Sequence, residues 1–190
     1  MKGFLAVLLF LISTTTFVYA GTEKGTKEIQ IQASYVQTDI STDEAQTYVH
    51  TKTGQLTFNY FFASWFSIGA TGRISGNTTK VHPRGEDPLP DEETSNVFLL
   101  LRTDFYIGGP TKKIIPFIGA TGGVTNYRSD SYSSTIPSYG AHAGLKIFPK
   151  ESISVNLELD NTGYSPEDRE GLKYDTIWVT GLFLGFSYYF

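Results

Sequence analysis

The last fifteen residues of this chain constrain its fold more than any other segment, because large apolar and small side chains alternate along them. At a period of two, residues of one parity line one face of a β-strand. The large residues are Trp178, Leu182, Leu184, Phe186, Tyr188 and Phe190. Gly181, Gly185 and Ser187 lie on the opposite face, where small side chains suit a crowded interior. A soluble domain rarely ends on so apolar a strand, whereas the closing strand of a membrane barrel pairs with the first strand and faces lipid.

Seven more segments show the same alternation. The eight predicted strands lie at about residues 27–39, 52–62, 66–76, 95–107, 115–127, 137–148, 152–162 and 176–190. Each can supply the roughly 9–11 tilted residues that a membrane strand needs. The alternation predicts an all-β fold: an eight-stranded antiparallel up-and-down transmembrane β-barrel with meander topology.

The predicted connections alternate in length. Short ones fall at residues 63–65, 108–113 and 149–151, and longer polar ones at 40–51, 76–94, 128–136 and 163–174. Outer-membrane barrels have short periplasmic turns and longer extracellular loops. With an even number of strands, this pattern predicts that both termini are periplasmic.

A soluble barrel of the lipocalin kind is the alternative, since it also has eight alternating strands but turns its polar face to water. Parity does not identify the inner face. Three features favour lipid outside: the apolar last strand, the alternating connections, and a polar face of glycine, serine, threonine and asparagine with few charges. A solvent-exposed face would be rich in lysine and glutamate instead.

The first twenty residues have the pattern of an export signal. Lys2 precedes nine apolar residues (4–12), and Val18 and Ala20 occupy the −3 and −1 positions of a predicted cleavage site. Nine apolar residues are too few for a spanning helix, which needs about 20. We expect residues 1–20 to be a cleaved signal peptide and residues 21–190 to be the barrel domain.

Composition excludes several other classes. The chain has no cysteine, which excludes disulfides and a lipoprotein anchor. Its formal net charge is −4 and it has no basic run, so nucleic acid is not expected as a partner.

The segment from Pro116 to Gly123 and the ending Gly185-x-x-Tyr188-x-Phe190 resemble the small outer-membrane barrels of the OmpA/OmpX type. The resemblance implies location in the outer membrane of a Gram-negative cell, with outer-membrane lipid and lipopolysaccharide as partners. It also implies that Gly185, Tyr188 and Phe190 form a signal for the barrel-assembly machinery. Phe183 departs from the family pattern, which has a polar residue there. The family shares a fold far more than a function.

An inward polar face would bring seven ionisable side chains into the lumen. They are Arg73, Arg102, Asp104, His142, Lys146, Glu158 and Asp160. Counting from the predicted turns pairs Arg102 with Glu158, Lys146 with Asp104, and Arg73 with Asp160. Eight strands leave room only for side chains, so we expect an ionic network that plugs the barrel. A charged constriction that passes ions is the alternative.

We expect no catalytic, cofactor-binding or metal-binding residue. Eight-stranded barrels that modify lipid A need a histidine and a serine near the outer leaflet, and His142 is predicted at mid-depth instead. The acidic segment 82–93 carries carboxylates that suit Ca²⁺ or Mg²⁺, but its irregular spacing and three prolines favour an extended, solvated segment. A lipid A-modifying enzyme therefore stays a remote alternative.

The sequence predicts a structural or surface-recognition role, adhesin-like, through four extracellular loops. Tyrosine and serine in residues 127–135 suit adaptable surface contacts, although no motif names the ligand. The alternative is a small porin or conduit for ions or small, including hydrophobic, molecules.

Overall fold

The eight predicted strands are all present in a computed structural model, which describes residues 22–41, 45–83, 89–108, 112–129, 132–165 and 176–190. The predicted signal peptide lies outside the described residues. The strands are β1 (Lys27–Ser41), β2 (Ala45–Ala63), β3 (Phe66–Pro83), β4 (Glu92–Tyr106), β5 (Ile114–Ser129), β6 (Tyr132–Lys150), β7 (Ile153–Tyr164) and β8 (Ile177–Tyr189). The described part of the chain contains no helix that is long and apolar enough to cross a membrane.

Each strand pairs antiparallel with the next, and β8 pairs with β1 to close the ring. The predicted eight-stranded meander is therefore confirmed. We call the end of the barrel where β1 begins and β8 ends the lower rim, and the opposite end the upper rim.

The apolar parity of every strand faces outward, as predicted. Leu101 is 69% exposed and Phe186 is 62% exposed, whereas the polar Thr57 and Asp104 are buried inside. Along β4 and the residue that follows it, the exposed apolar residues run from Val97 to Ile107. Ten residue steps, at roughly 3.3 Å each and a tilt of about 40°, give a belt about 25 Å tall, the height of a hydrocarbon core facing such barrels. The soluble-barrel alternative is excluded, because it would bury this face.

Aromatic side chains edge the belt at both rims. At the lower rim Trp65, Phe66 and Phe105 contact one another with ring centroids 5.1–6.3 Å apart. Toward the upper rim Tyr139 packs edge-on against Trp178 at 5.5 Å. Aromatic girdles of this kind mark the two interfaces between lipid tails and water.

Several strands extend further toward the upper rim than predicted, which corrects the predicted connections. β2 begins at Ala45 rather than near residue 52, and β3 continues to Pro83 rather than to residue 76. The connections predicted at 40–51 and 128–136 shrink to residues 42–44 and 130–131, whereas the connection near 108–113 spans 107–113. The prediction that short and long connections alternate strictly was therefore wrong.

The extensions escaped prediction because both of their faces are polar. Residues 46–53 and 75–80 are rich in threonine, and they lie beyond the apolar belt. Without lipid on one side, the alternation that revealed the strands disappears. The β-branched threonines still favour strand geometry, and pairing satisfies the backbone.

The lumen is filled in layers. An apolar layer near the lower rim consists of Phe61, Tyr106, Ile115, Phe117, Phe148 and Tyr189. A second layer, toward the upper rim, consists of Phe98, Leu100, Ile136 and Tyr164. Buried charged and amide side chains occupy the lumen between and beside these layers.

Candidate functional site

Arg102 lies at the centre of the lumen and is 1% exposed. Its Nη1 and Nη2 donate to the two carboxylate oxygens of Glu158, each at 2.9 Å, in the bidentate geometry that favours arginine. Its Nε donates to both oxygens of Asp104 at 2.9 and 3.0 Å. Asp104 is two residues further along β4 and so shares the lumenal face, whereas Glu158 reaches across the lumen from β7. One guanidinium thus holds two carboxylates.

A second ion pair closes the lumen near the lower rim. Lys146 donates to Glu28, which also accepts hydrogen bonds from the Tyr189 hydroxyl at 3.0 Å and from Asn59 Nδ2 at 3.0 Å. The Lys146 ammonium lies 5.4 Å from the centre of the Phe117 ring, a cation–π distance. The predicted partner of Lys146, Asp104, was wrong, because Asp104 is taken by Arg102 and His142.

The third ion pair lies nearest the upper rim. Arg73 Nη1 donates to Asp160 at 2.9 Å and to the Thr162 hydroxyl at 3.1 Å. Its guanidinium carbon lies 5.6 Å from the ring centre of Phe98 and 5.1 Å from that of Phe183. Phe183, the residue that departs from the family pattern, therefore faces inward and packs against Arg73.

Two glutamines connect the upper and central ion pairs. Arg73 Nε donates to Gln55 at 2.9 Å, Gln55 donates to Gln32, and Gln32 donates to Glu158 at 3.3 Å. The Asn59 amide, which donates to Glu28, also donates to Asp104 at 3.4 Å. One connected network therefore runs through the lumen from the lower rim to Arg73.

The network contains one acid more than predicted. The described lumenal acids are Glu28, Asp104, Glu158 and Asp160, and the permanent cations are Arg73, Arg102 and Lys146. Glu28 was not among the residues predicted for the lumen, although it shares the parity of Gln30 and Gln32. The signal was present in the alternation of β1, one step before the residues assigned to the lumen.

His142 adjoins this surplus negative charge. Its Nε2 lies 2.5 Å from Asp104 Oδ1. The ring is accommodated because residue 119 on neighbouring β5 is glycine: a Cβ at this position would lie 2.2 Å from His142 Nε2. The geometry commits His142 to the ionic network.

Three of these side chains lie close enough together to hold a metal ion, but the positive charge of Arg102 beside them disfavours one. His142, Glu158 and Asp160 each offer a ligand atom within 4.8 Å of the others. Both oxygens of Glu158 already accept hydrogen bonds from Arg102, and a guanidinium at that distance repels a cation. We therefore assign these residues to the ionic network.

Above the network, the upper lumen holds a cavity of about 370 Å³. Arg73, Asp160 and Asn96 line it from the interior, together with Phe98 and Phe183. Among the described residues, the lumen is thus packed from its lower rim to its middle and holds this cavity toward its upper rim.

The architecture matches that of solved membrane proteins. OprG, the outer membrane protein of Pseudomonas aeruginosa, has a TM-score of 0.56 at 17% identity, covering 88% of this chain and 97% of its own. Neisserial surface protein A (NspA) has a TM-score of 0.58 at 8% identity, covering 87% and 99%. The Yersinia pestis outer membrane protein Ail, solved in phospholipid bilayer nanodiscs, has a TM-score of 0.51 at 16% identity, covering 88% and 100%. The chain is an eight-stranded barrel of the outer-membrane type.

No family model and no curated protein matches the sequence. At these identities the likeness is one of fold, and function must be argued from this barrel itself. Barrels of this fold span outer membranes, and the apolar belt gives this barrel the surface to do so.

Proposed function

We propose that this protein is a non-conducting outer-membrane barrel that holds a rigid polar sheet outside the membrane for surface recognition. The observation that carries the proposal is the length of its strands. β2 has 19 residues, which at roughly 3.3 Å per residue and a tilt of about 40° span about 45 Å. The apolar belt accounts for only about 25 Å. About 20 Å of paired strand is left to project from the bilayer.

The projecting sheet suits contact with a partner. β1 and β2 stay paired up to Ser41 and Gln46, and β2 and β3 up to Ala45 and Pro83. Pairing fixes the backbone in advance, so less conformational entropy is lost when a partner binds. The exposed Lys80 and Asp91 form an ion pair of 2.9 Å on this extension.

The packed lumen argues against the alternative of a small porin. Among the described residues, three buried ion pairs and two apolar layers occupy the lumen at and below the floor of the upper cavity. The same proposal includes three further expectations: residues 1–20 are a cleaved signal peptide, both termini are periplasmic, and the barrel contacts lipopolysaccharide and the assembly machinery. They are supported by the leader pattern and by the residues Gly185, Tyr188 and Phe190.

Trimming the extension tests the recognition role. Residues 36, 51, 77 and 94 lie in one row of cross-strand partners. Replacing 37–50 and 78–93 each by Asn-Gly, the preferred two-residue hairpin turn, shortens four strands without changing register. We expect cells that display the trimmed barrel to lose attachment to epithelial monolayers while the barrel still assembles in the membrane.

The matched control replaces Lys80 and Asp91 by serine, which removes the exposed ion pair and keeps the extension. Heat-modifiable electrophoretic mobility reports assembly of each variant. If the trimmed barrel assembles and attaches as well as the full chain, the extension has no recognition role and the protein is structural.

A further inference from the structure

The barrel wall is incompletely paired where its first and last strands meet. The ladder between β1 and β8 has six residue pairs and ends at Ala33–Leu184. Above this point β1 stays paired with β2, and β8 stays paired with β7. No β1–β8 pair is found above Ala33–Leu184 among the described residues. We call this stretch of wall the seam.

The upper cavity reaches the seam. Ser34 and Val36 line it from β1, and Gly181 lines it from the inner face of β8. Trp178 and Thr180, which belong to the outward parity of β8, line the same cavity. Because residues from both the inner and the outer face of β8 line this cavity, the cavity must extend around the unpaired edge of β8. The upper lumen therefore communicates with the lipid-facing side at the seam.

The floor of this cavity carries unpartnered oxygen atoms. Asp160 Oδ2, Asn96 Oδ1 and Ser34 Oγ are buried without a hydrogen-bond partner, and Asp160 and Asn96 are only 1% and 2% exposed. A buried acceptor without a partner is unfavourable, so these atoms favour a bound group that donates hydrogen bonds. The cavity's volume of about 370 Å³ lies within the usual range of ligand sites, about 300–1,000 Å³.

The remaining walls combine apolar side chains with uncharged hydroxyl and amide groups, among them Thr51, Thr53 and Asn77, and they carry no net charge. Val36, Val49 and Val179 line the cavity above Phe98 and Phe183. Arg73 is neutralised by Asp160 and held between the two aromatic rings. The site therefore offers hydrogen-bond acceptors and apolar contact but no net charge to attract an ion.

We propose that the seam and upper cavity form a binding site for a single-chain amphiphile with an uncharged, hydroxyl-bearing head group. The head group donates hydrogen bonds to Asp160 and Asn96, and the chain leaves through the seam beside Trp178, at the edge of the apolar belt, to join the lipid. This site lies within the wall and is independent of the proposed recognition role, because the trimmed barrel retains every residue of it named here except Val49.

The two tryptophans of the chain allow a direct test. Trp65 lies at the lower rim, so W65F leaves Trp178, at the seam, as the only tryptophan, which is excited selectively at wavelengths that tyrosine does not absorb. The full chain is placed in phosphatidylcholine nanodiscs and titrated with a monoacylglycerol that carries bromines on its chain. Bulk lipid quenches Trp178 in proportion to the bromolipid fraction, whereas the site adds a saturable component. We expect this component at low mole fraction of the monoacylglycerol. Brominated oleate, titrated separately in the same way, should give it only at a mole fraction at least tenfold higher.

Asn96→Leu tests the floor of the cavity, and Asn126→Leu is its matched control. Asn126 faces outward from β5, away from the cavity. We expect N96L to weaken the saturable component about tenfold or more and N126L to leave it unchanged, with electrophoretic mobility confirming that both fold. Quenching that is linear in the W65F barrel, equal affinity for oleate, or equal behaviour of the two leucine variants would each overturn the proposal.

Discussion

At the scale of single residues, the pairing of charged side chains in the lumen depends on how many carboxylate oxygens each cation can reach. Arg102 makes four hydrogen bonds to Asp104 and Glu158. Parity could predict that these side chains share the lumen. It could not predict that Lys146 binds Glu28, because the partners across the lumen depend on the tilt and stagger of the strands. Counting residues from the predicted turns gives the depth of a side chain too coarsely to choose between such partners.

The first prediction concerns Arg102. Arg102→Ala leaves Glu158 buried without its cation, so we expect a loss of roughly 3–5 kcal/mol in the free energy of unfolding. Urea unfolding in phospholipid vesicles, followed by tryptophan fluorescence, measures it. The control is the triple variant R102M/D104N/E158L, which removes the guanidinium together with the charges of both carboxylates that it holds and nearly keeps the volume. It should lose much less, and an R102A barrel as stable as wild type would show that the ion pair is unimportant.

At the scale of strands, closure between β1 and β8 depends on a glycine. A Cβ at residue 185 would lie 2.1 Å from the carbonyl oxygen of Ile31 and 2.3 Å from Cγ of Gln32. The sequence showed Gly185 as a small residue of the inward parity. It could not show which strand approaches it, because that depends on the register of a strand more than 150 residues away.

We therefore expect Gly185→Ala to force β1 away from β8 and to cost at least about 1–3 kcal/mol, as overpacking does. Folded barrel, measured as the fast-migrating band before heating, should decrease. Gly122→Ala is the control, because a Cβ there has no neighbour within 4 Å. Equal yields of folded barrel from the two variants would contradict the close approach.

Also at the scale of strands, the alternation of apolar and polar residues predicted the ends of a strand only where lipid lies on one of its faces. β4 was predicted to begin at about residue 95 and begins at Glu92, an error of three residues. β2 was missed by seven residues, all beyond the belt. The bilayer imposes the alternation, so the sequence shows the membrane-spanning part of each strand and not its full length.

At the scale of the whole molecule, the packed lumen predicts that the barrel does not conduct. Purified protein in planar bilayers should give no steady single-channel steps, because apolar and ionic layers fill the lower lumen. A larger porin, reconstituted in the same way, is the control for insertion. Sizeable, long-lived currents from this barrel would mean that the network opens and would restore the conduit alternative.

The three ion pairs also join strands that are not neighbours: β1 with β6, β3 with β7, and β4 with β7. None of them can form while the sheet is still open. A half-inserted sheet would present isolated lumenal charges to hydrocarbon, at a cost of about 2–4 kcal/mol for a basic side chain at the bilayer midplane. The bilayer thus penalises every intermediate in which the ring is unfinished. We therefore expect insertion and closure of the barrel to be coupled, with the lumenal ion pairs forming as the ring closes.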